Sequence, residues 1–177
     1  MSSGEIAPDP LTVPAGDSPG ILTVVSSLEE LRTAVTTVAS RAQRLMSICT
    51  PDLEPELYDQ PAFLEIVKRL VLARRFAKVR VLLGDSTRLL RDGNRFVAMG
   101  RRLTSCIDIR IIQTPLPQRA AAYLIADDRA IVYRTRSDCW NGIAAFDNPA
   151  VARVHLAEFD AAWDANAPDH GLRTAYR

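Results

Sequence analysis

Histidine is nearly absent from this chain: His155 and His170 are the only two among 177 residues. That scarcity removes most triad and metal chemistries, which rely on imidazole as base or ligand. Cysteine is scarce too. Cys49, Cys106 and Cys139 are odd in number, far apart and show no Cys-x-x-Cys spacing, so neither a zinc site nor a disulfide framework follows from them. Each lies in or beside an apolar run, which suits a buried free thiol. These residues call for no cofactor and no metal. No apolar run approaches the roughly 18–20 residues that a membrane-spanning helix needs. Residues 1–20 lack the basic start and apolar stretch of a secretory signal, so a cytoplasmic location is the expectation.

What is present is an ordinary globular composition, 47% hydrophobic and 24% charged, in a length that suits one domain with a real core. The formal net charge of +1 conceals a segregation. Residues 1–65 hold ten acidic and three basic side chains, whereas 68–110 hold twelve basic and three acidic. Such a mid-chain excess suggests an anion-facing surface, against the plainer reading of solvated helix faces. Sparse aromatics within it (Phe76 and Phe96) offer no base-stacking platform and speak against nucleic acid.

Residues 1–20, rich in Pro, Gly, Ser and Asp, read as a disordered leader. Ser27-Leu28-Glu29-Glu30 forms a capping box and opens a first helix to about Ala42, with Leu28, Leu31, Val35 and Val38 at helical spacing. A strand follows over 44–49. Pro61 then starts a helix striped with Phe63, Ile66, Val67, Leu70 and Val71. Residues 78–83 form a β-branched strand, 86–103 are helical with a break at Gly93-Asn94, and Ile107, Ile109 and Ile111 alternate as a half-buried strand. Strands over 120–126 and 130–135 enclose the turn at Asp127-Asp128, where Asp suits tight turns. A polar loop is expected over 136–148, then a helix from Pro149 whose one face carries Val151, His155, Phe159 and Trp163. Residues 167–177 read as a flexible tail. Helices alternating with strands predict an α/β fold with a mixed, mostly parallel sheet flanked by helices on both faces, occupying 21–166.

Three stretches carry a family likeness: Lys78-Val79-Arg80-Val81-Leu82-Leu83 after an Arg-rich helix, the strand over 107–112 ahead of the hairpin, and Phe159-x-x-x-Trp163 after Asn148-Pro149. Together they resemble one half of a phospholipase D-like domain, of an uncharacterised bacterial branch. The resemblance implies a His-x-Lys-x-x-x-x-Asp motif on the hairpin, in which histidine attacks phosphorus and lysine holds phosphoryl oxygens. Aligned without gaps, the motif falls on Ala120, Ala122 and Asp127, and the Gly-Ser-x-Asn that trails it falls on Arg134 to Ser137, where the hydroxyl of Thr135 is kept. Alanine methyls neither attack phosphorus nor transfer a proton, so the family chemistry is not expected.

The expectation is therefore a non-catalytic phospholipase D-like domain acting as a binding or regulatory module. The resemblance also implies a homodimer or a partner protein, because family halves pair to complete a site. Arg74, Arg75, Lys78, Arg134 and Arg136 are the candidate anion-binding residues for a phosphate-containing ligand, since arginine grips phosphate without proton transfer. Two alternatives stay open: a phosphoester-processing enzyme that uses other residues or a partner's intact half, and an anion- or nucleic-acid-binding protein.

Overall fold

The computed structural model describes residues 20–113 and 120–166. The expected leader, apart from Gly20, and the expected tail lie outside these residues, as does His170. Seven strands form one sheet in the order β1-β7-β6-β5-β2-β3-β4: β1 (Thr23–Val25), β2 (Leu45–Thr50), β3 (Lys78–Leu83), β4 (Ile107–Ile111), β5 (Ala122–Ala126), β6 (Ala130–Arg134) and β7 (Gly142–Ala145). Six helices accompany them: α1 (Leu28–Arg41), α2 (Pro55–Tyr58), α3 (Pro61–Ala73), α4 (Thr87–Asp92), α5 (Arg95–Arg102) and α6 (Pro149–Ala165).

Strand pleating sorts the side chains onto two faces. Met46, Ile48, Val79, Val81, Leu124 and Val132 pack with Leu31, Val35, Val38, Phe63, Val67 and Phe96 from α1, α3 and α5. On the other face, Cys49, Leu82, Tyr123, Ile125 and Ile131 meet Ala152, Phe159 and Trp163 of α6. The α/β sandwich with helices on both faces is thus present, with most of the helical cover on one side.

The proportion of parallel pairing is a correction. Only β2·β3 and β3·β4 run parallel. The pairs β2·β5, β5·β6, β6·β7 and β1·β7 are antiparallel. Parallel neighbours need a crossover long enough to carry the chain back, and α3 and α5 supply the two that exist. The returns from β5 to β6, over 127–129, and from β6 to β7, over 135–141, are short and suit antiparallel order. The expected polar loop over 136–148 hides β7, whose four residues sit among Asn, Gly and Asp that read as turn formers. β1 and α2 are equally short and were also not anticipated.

Local signals act as their chemistry dictates. Ser27 Oγ accepts from Glu30 N at 3.2 Å, and Glu30 Oε2 accepts from Ser26 N at 2.7 Å. Asn94 caps α5 by accepting from Phe96 N and Val97 N, which places the helix break at Gly93, whose φ is +73°. Asn148 caps α6 through Val151 N.

Candidate functional site: a filled pocket

In open α/β sheets, ligands bind beyond the C-terminal ends of strands, where strand order changes direction. Here that place is the end of β2, which has parallel β3 on one side and antiparallel β5 on the other. Cys49 is in register with Tyr123, so Ala122 lies beside Thr50, and Ala122 is paired with Arg134 on β6. Ala122, one of the two alanines that the resemblance singles out, therefore stands at this mouth.

The mouth is occupied by the protein itself. Arg134 reaches across it, and its Nη2 donates to Glu54 Oε1 at 2.5 Å. Its Nη1 donates to the carbonyls of Ser137 at 3.2 Å and Cys139 at 2.9 Å. The two side chains are 3% and 6% exposed. Trp140 closes over the guanidinium, whose Cζ lies 5.5 Å from the ring centroid. Thr50 Oγ1 donates to Glu54 Oε1 at 3.4 Å and accepts from Leu53 N at 3.1 Å. Burial raises the Glu54 carboxyl above its usual range, while the charge and hydrogen bond of Arg134 pull it down.

Two backbone features make room for this pair. Leu53, fully buried, holds φ at +55°, a region that a bulky residue rarely occupies. Strain of this kind persists only where the surroundings enforce it, and here it turns the 51–54 segment so that Glu54 faces inward. Gly142 is the second. A Cβ there would meet the Tyr133 carbonyl oxygen and stand 2.8 Å from Arg134 Cγ, so the stem of Arg134 runs where a side chain would be. Methyl groups stand at 120 and 122, and both Nη atoms of Arg134 are engaged. Ser137 contributes its backbone N, which donates to the Ala120 carbonyl at 2.9 Å, and Thr135 points to solvent.

Asp127 sits at the opposite end of β5. Its carboxylate accepts from the backbone N of Gln43 at 3.0 Å, Arg44 at 2.8 Å and Leu45 at 3.0 Å, and its own N donates to the Leu45 carbonyl at 2.7 Å. With φ at +54°, it is a turn residue that anchors the hairpin to the start of β2. Asp128 pairs with Arg153 at 2.8 Å. The motif aspartate thus serves as an architectural tie, a strand's length from Ala120 and Ala122.

The remaining candidates are scattered. His155 stacks on Tyr133 with 4.3 Å between centroids, and its Nδ1 lies 3.4 Å from Glu158 Oε2. It stands on the α6 side, across the sheet from Arg134. Burial pushes the Cys49 thiol up to about 11, which disfavours the thiolate at neutral pH. Arg136 is bound to Asp138 at 2.8 Å. Arg74, Arg75 and Lys78 lie together where α3 runs into β3, at the end of the sheet away from Ala122, so the five candidate cations divide into two groups. Among the described residues, no group of three or more His, Cys, Asp or Glu could hold a metal ion. The sequence reading missed Glu54 and Thr50. Glu54 and Arg134 are 80 positions apart, and no local spacing announces such a pair.

A family model described as a domain of unknown function (DUF7931) matches residues 27–175. No curated protein matches the chain. Among solved structures, it is similar to Nuc, a phospholipase D family member from Salmonella typhimurium, at 17% identity and TM-score 0.58, covering 84% of this chain and 97% of that one. NucT from Helicobacter pylori is similar at 9% identity and TM-score 0.60, with 84% and 99% covered. The archaeal chromatin protein TrmBL2 matches at 13% identity and TM-score 0.59 over 84% of this chain, which spans only 54% of TrmBL2. At these identities the likeness is one of fold, and the fold is phospholipase D-like.

Proposed function

The chain belongs to the family of domains of unknown function described as DUF7931, and on that premise we propose that it is a non-catalytic phospholipase D-like domain acting as a binding or regulatory module. One observation supports the reading: a buried Glu54–Arg134 pair stands beside Ala122, the position that the resemblance gives to the family's lysine. Removing a nucleophile alone typically costs orders of magnitude in rate, about 10⁶ in a well-studied triad. In this reading the protein is cytoplasmic and acts as a homodimer or with a partner protein, as pairing of family halves suggests.

The test is hydrolysis of a chromogenic phosphodiester by purified protein. No turnover above the uncatalysed rate is expected across neutral pH. Turnover that is lost in both Glu54→Gln and His155→Ala overturns the reading in favour of an enzyme using residues outside the family motif. A second reading, an anion-binding protein, draws on the exposed cluster of Arg74, Arg75 and Lys78. TrmBL2 binds DNA, which keeps nucleic acid within that second reading. Salt-dependent retention on heparin that falls when the three cations are neutralised supports it.

A further inference from the structure

We propose that the end of the sheet opposite the filled pocket docks on an anionic lipid surface. The inference goes beyond the non-catalytic reading and is independent of it, because the two ends share no residue. Helices α3 and α5 both finish at this end, where β3 and β4 begin. Lys78 Nζ donates to the Ser105 carbonyl, which ties the two connecting loops together. Lys78 N donates to the Arg44 carbonyl at 2.9 Å, which brings the α1–β2 turn alongside.

Cations outnumber carboxylates here. Arg44, Lys68, Arg69, Arg74, Arg75 and Arg102 are exposed, and none forms an ion pair with a described residue. Elsewhere arginines behave differently: Arg88, Arg91, Arg95 and Arg136 each hold a carboxylate. The carboxylates at this end are few. Asp127 is saturated by three backbone N–H groups, Asp128 is paired with Arg153, and Glu65 and Asp108 are outnumbered.

Apolar side chains stand among these cations. Phe76, in the loop after α3, is 82% exposed, and Leu72 is 64% exposed. Arg75 lies beside the Phe76 ring at 5.9 Å. Behind Leu72, a groove of about 480 Å³ between α3 and α5 is lined by Leu64, Met99 and Leu103 and rimmed by Lys68 and Arg102. Cations at helix C-termini suit the helix dipole, but that does not explain a phenylalanine held out in water. A nucleic acid engages the cations and leaves Leu72 and the groove wet. An amphipathic helix needs a longer seat, since α5 has eight residues and is about 12 Å long. An anionic bilayer uses every part: phosphates and carboxylates meet the arginines and lysine, while Phe76 and Leu72 enter the headgroup boundary.

Co-sedimentation of the full chain with phosphatidylcholine vesicles, with and without about a third phosphatidylserine, tests this. Binding is expected only to the anionic vesicles and is weakened by salt. The double variant Arg74→Ala/Arg75→Ala lowers the partition coefficient about 30-fold, and Phe76→Ser lowers it about tenfold. Leu72→Gln gives a second apolar test at an exposed site, and Arg91→Ala, in α4 and paired with Asp92, leaves binding unchanged. Three results overturn the proposal: no wild-type binding to anionic vesicles, equal binding by the variants, or preferential binding to duplex DNA that Phe76→Ser does not alter. Vesicle binding and diester hydrolysis are separate measurements, so failure of one reading is distinguishable from failure of the other.

Discussion

The two ends of β3 handle the same residue type in opposite ways. Beyond its C-terminal end, arginine is inside or paired: Arg134 with Glu54, Arg88 with Asp52 and Glu56, Arg95 with Asp59. At its N-terminal end, Arg74 and Arg75 face water beside an exposed phenylalanine. The difference separates cations that folding uses from cations it does not. A buried pair loses both hydration shells, and apolar replacement of the whole pair is often no less stable. The value of Glu54–Arg134 is therefore one of position, since it pins the 51–54 turn and the 136–141 segment over the mouth. Exposed cations contribute little to stability, so stability does not account for their grouping.

The sharpest way to break this comparison is to remove one member of the buried pair. Arg134→Leu leaves the Glu54 carboxyl buried without its partner, and unfolding by urea is expected to show a loss of about 3–5 kcal/mol. The double replacement Glu54→Leu/Arg134→Leu recovers most of it, because no charge is then stranded. If the single and double variants unfold alike, the pair is not what holds the mouth shut. A smaller loss is expected from Gly142→Ala. Its methyl displaces the Arg134 stem and crowds the Tyr133 carbonyl, with a cost of about 1–3 kcal/mol. An unchanged midpoint would show that β7 shifts freely.

What the sequence disclosed follows from the range of the interactions involved. Periodicity found α1, α3, α6 and the β5–β6 hairpin, because each contains its own pattern of buried positions. The Ser27 box, the Gly93-Asn94 break and the Asp127 turn were legible for the same reason: capping and turn chemistry acts within a few residues. The order of the strands was not, since two crossovers and a run of hairpins give similar alternations along the chain. The site was partly legible. The sequence drew attention to the hairpin that carries Ala122, but Arg134 read as an available cation. Only the fold brings Glu54 to it, after a Leu53 turn at positive φ that no sequence pattern predicts.

Asp127 tests whether the motif's surviving residue is architectural. Asp127→Ala removes an acceptor from three backbone N–H groups and places alanine at φ +54°. A loss of about 1–3 kcal/mol is expected in chemical denaturation. Asp127→Asn keeps an acceptor and tolerates that backbone, so it should retain much of the stability. Equal losses in the two variants would show that the charge matters more than the turn.

The weakest effect is expected at the other end, and it completes the contrast. Arg74→Ala/Arg75→Ala removes two charges that pair with no described carboxylate, from a loop whose side chains face solvent. Its stability should stay within about 0.5 kcal/mol of the wild type. If repulsion among the neighbouring cations is felt, the variant gains slightly at low salt and the gain fades as salt screens it. A loss above about 1 kcal/mol would place these arginines among the groups that folding uses, and their grouping would then need no ligand to explain it. A neutral effect on stability, together with a large effect on vesicle binding, separates the two ends by measurement: one arginine held for the fold, two held out for something else.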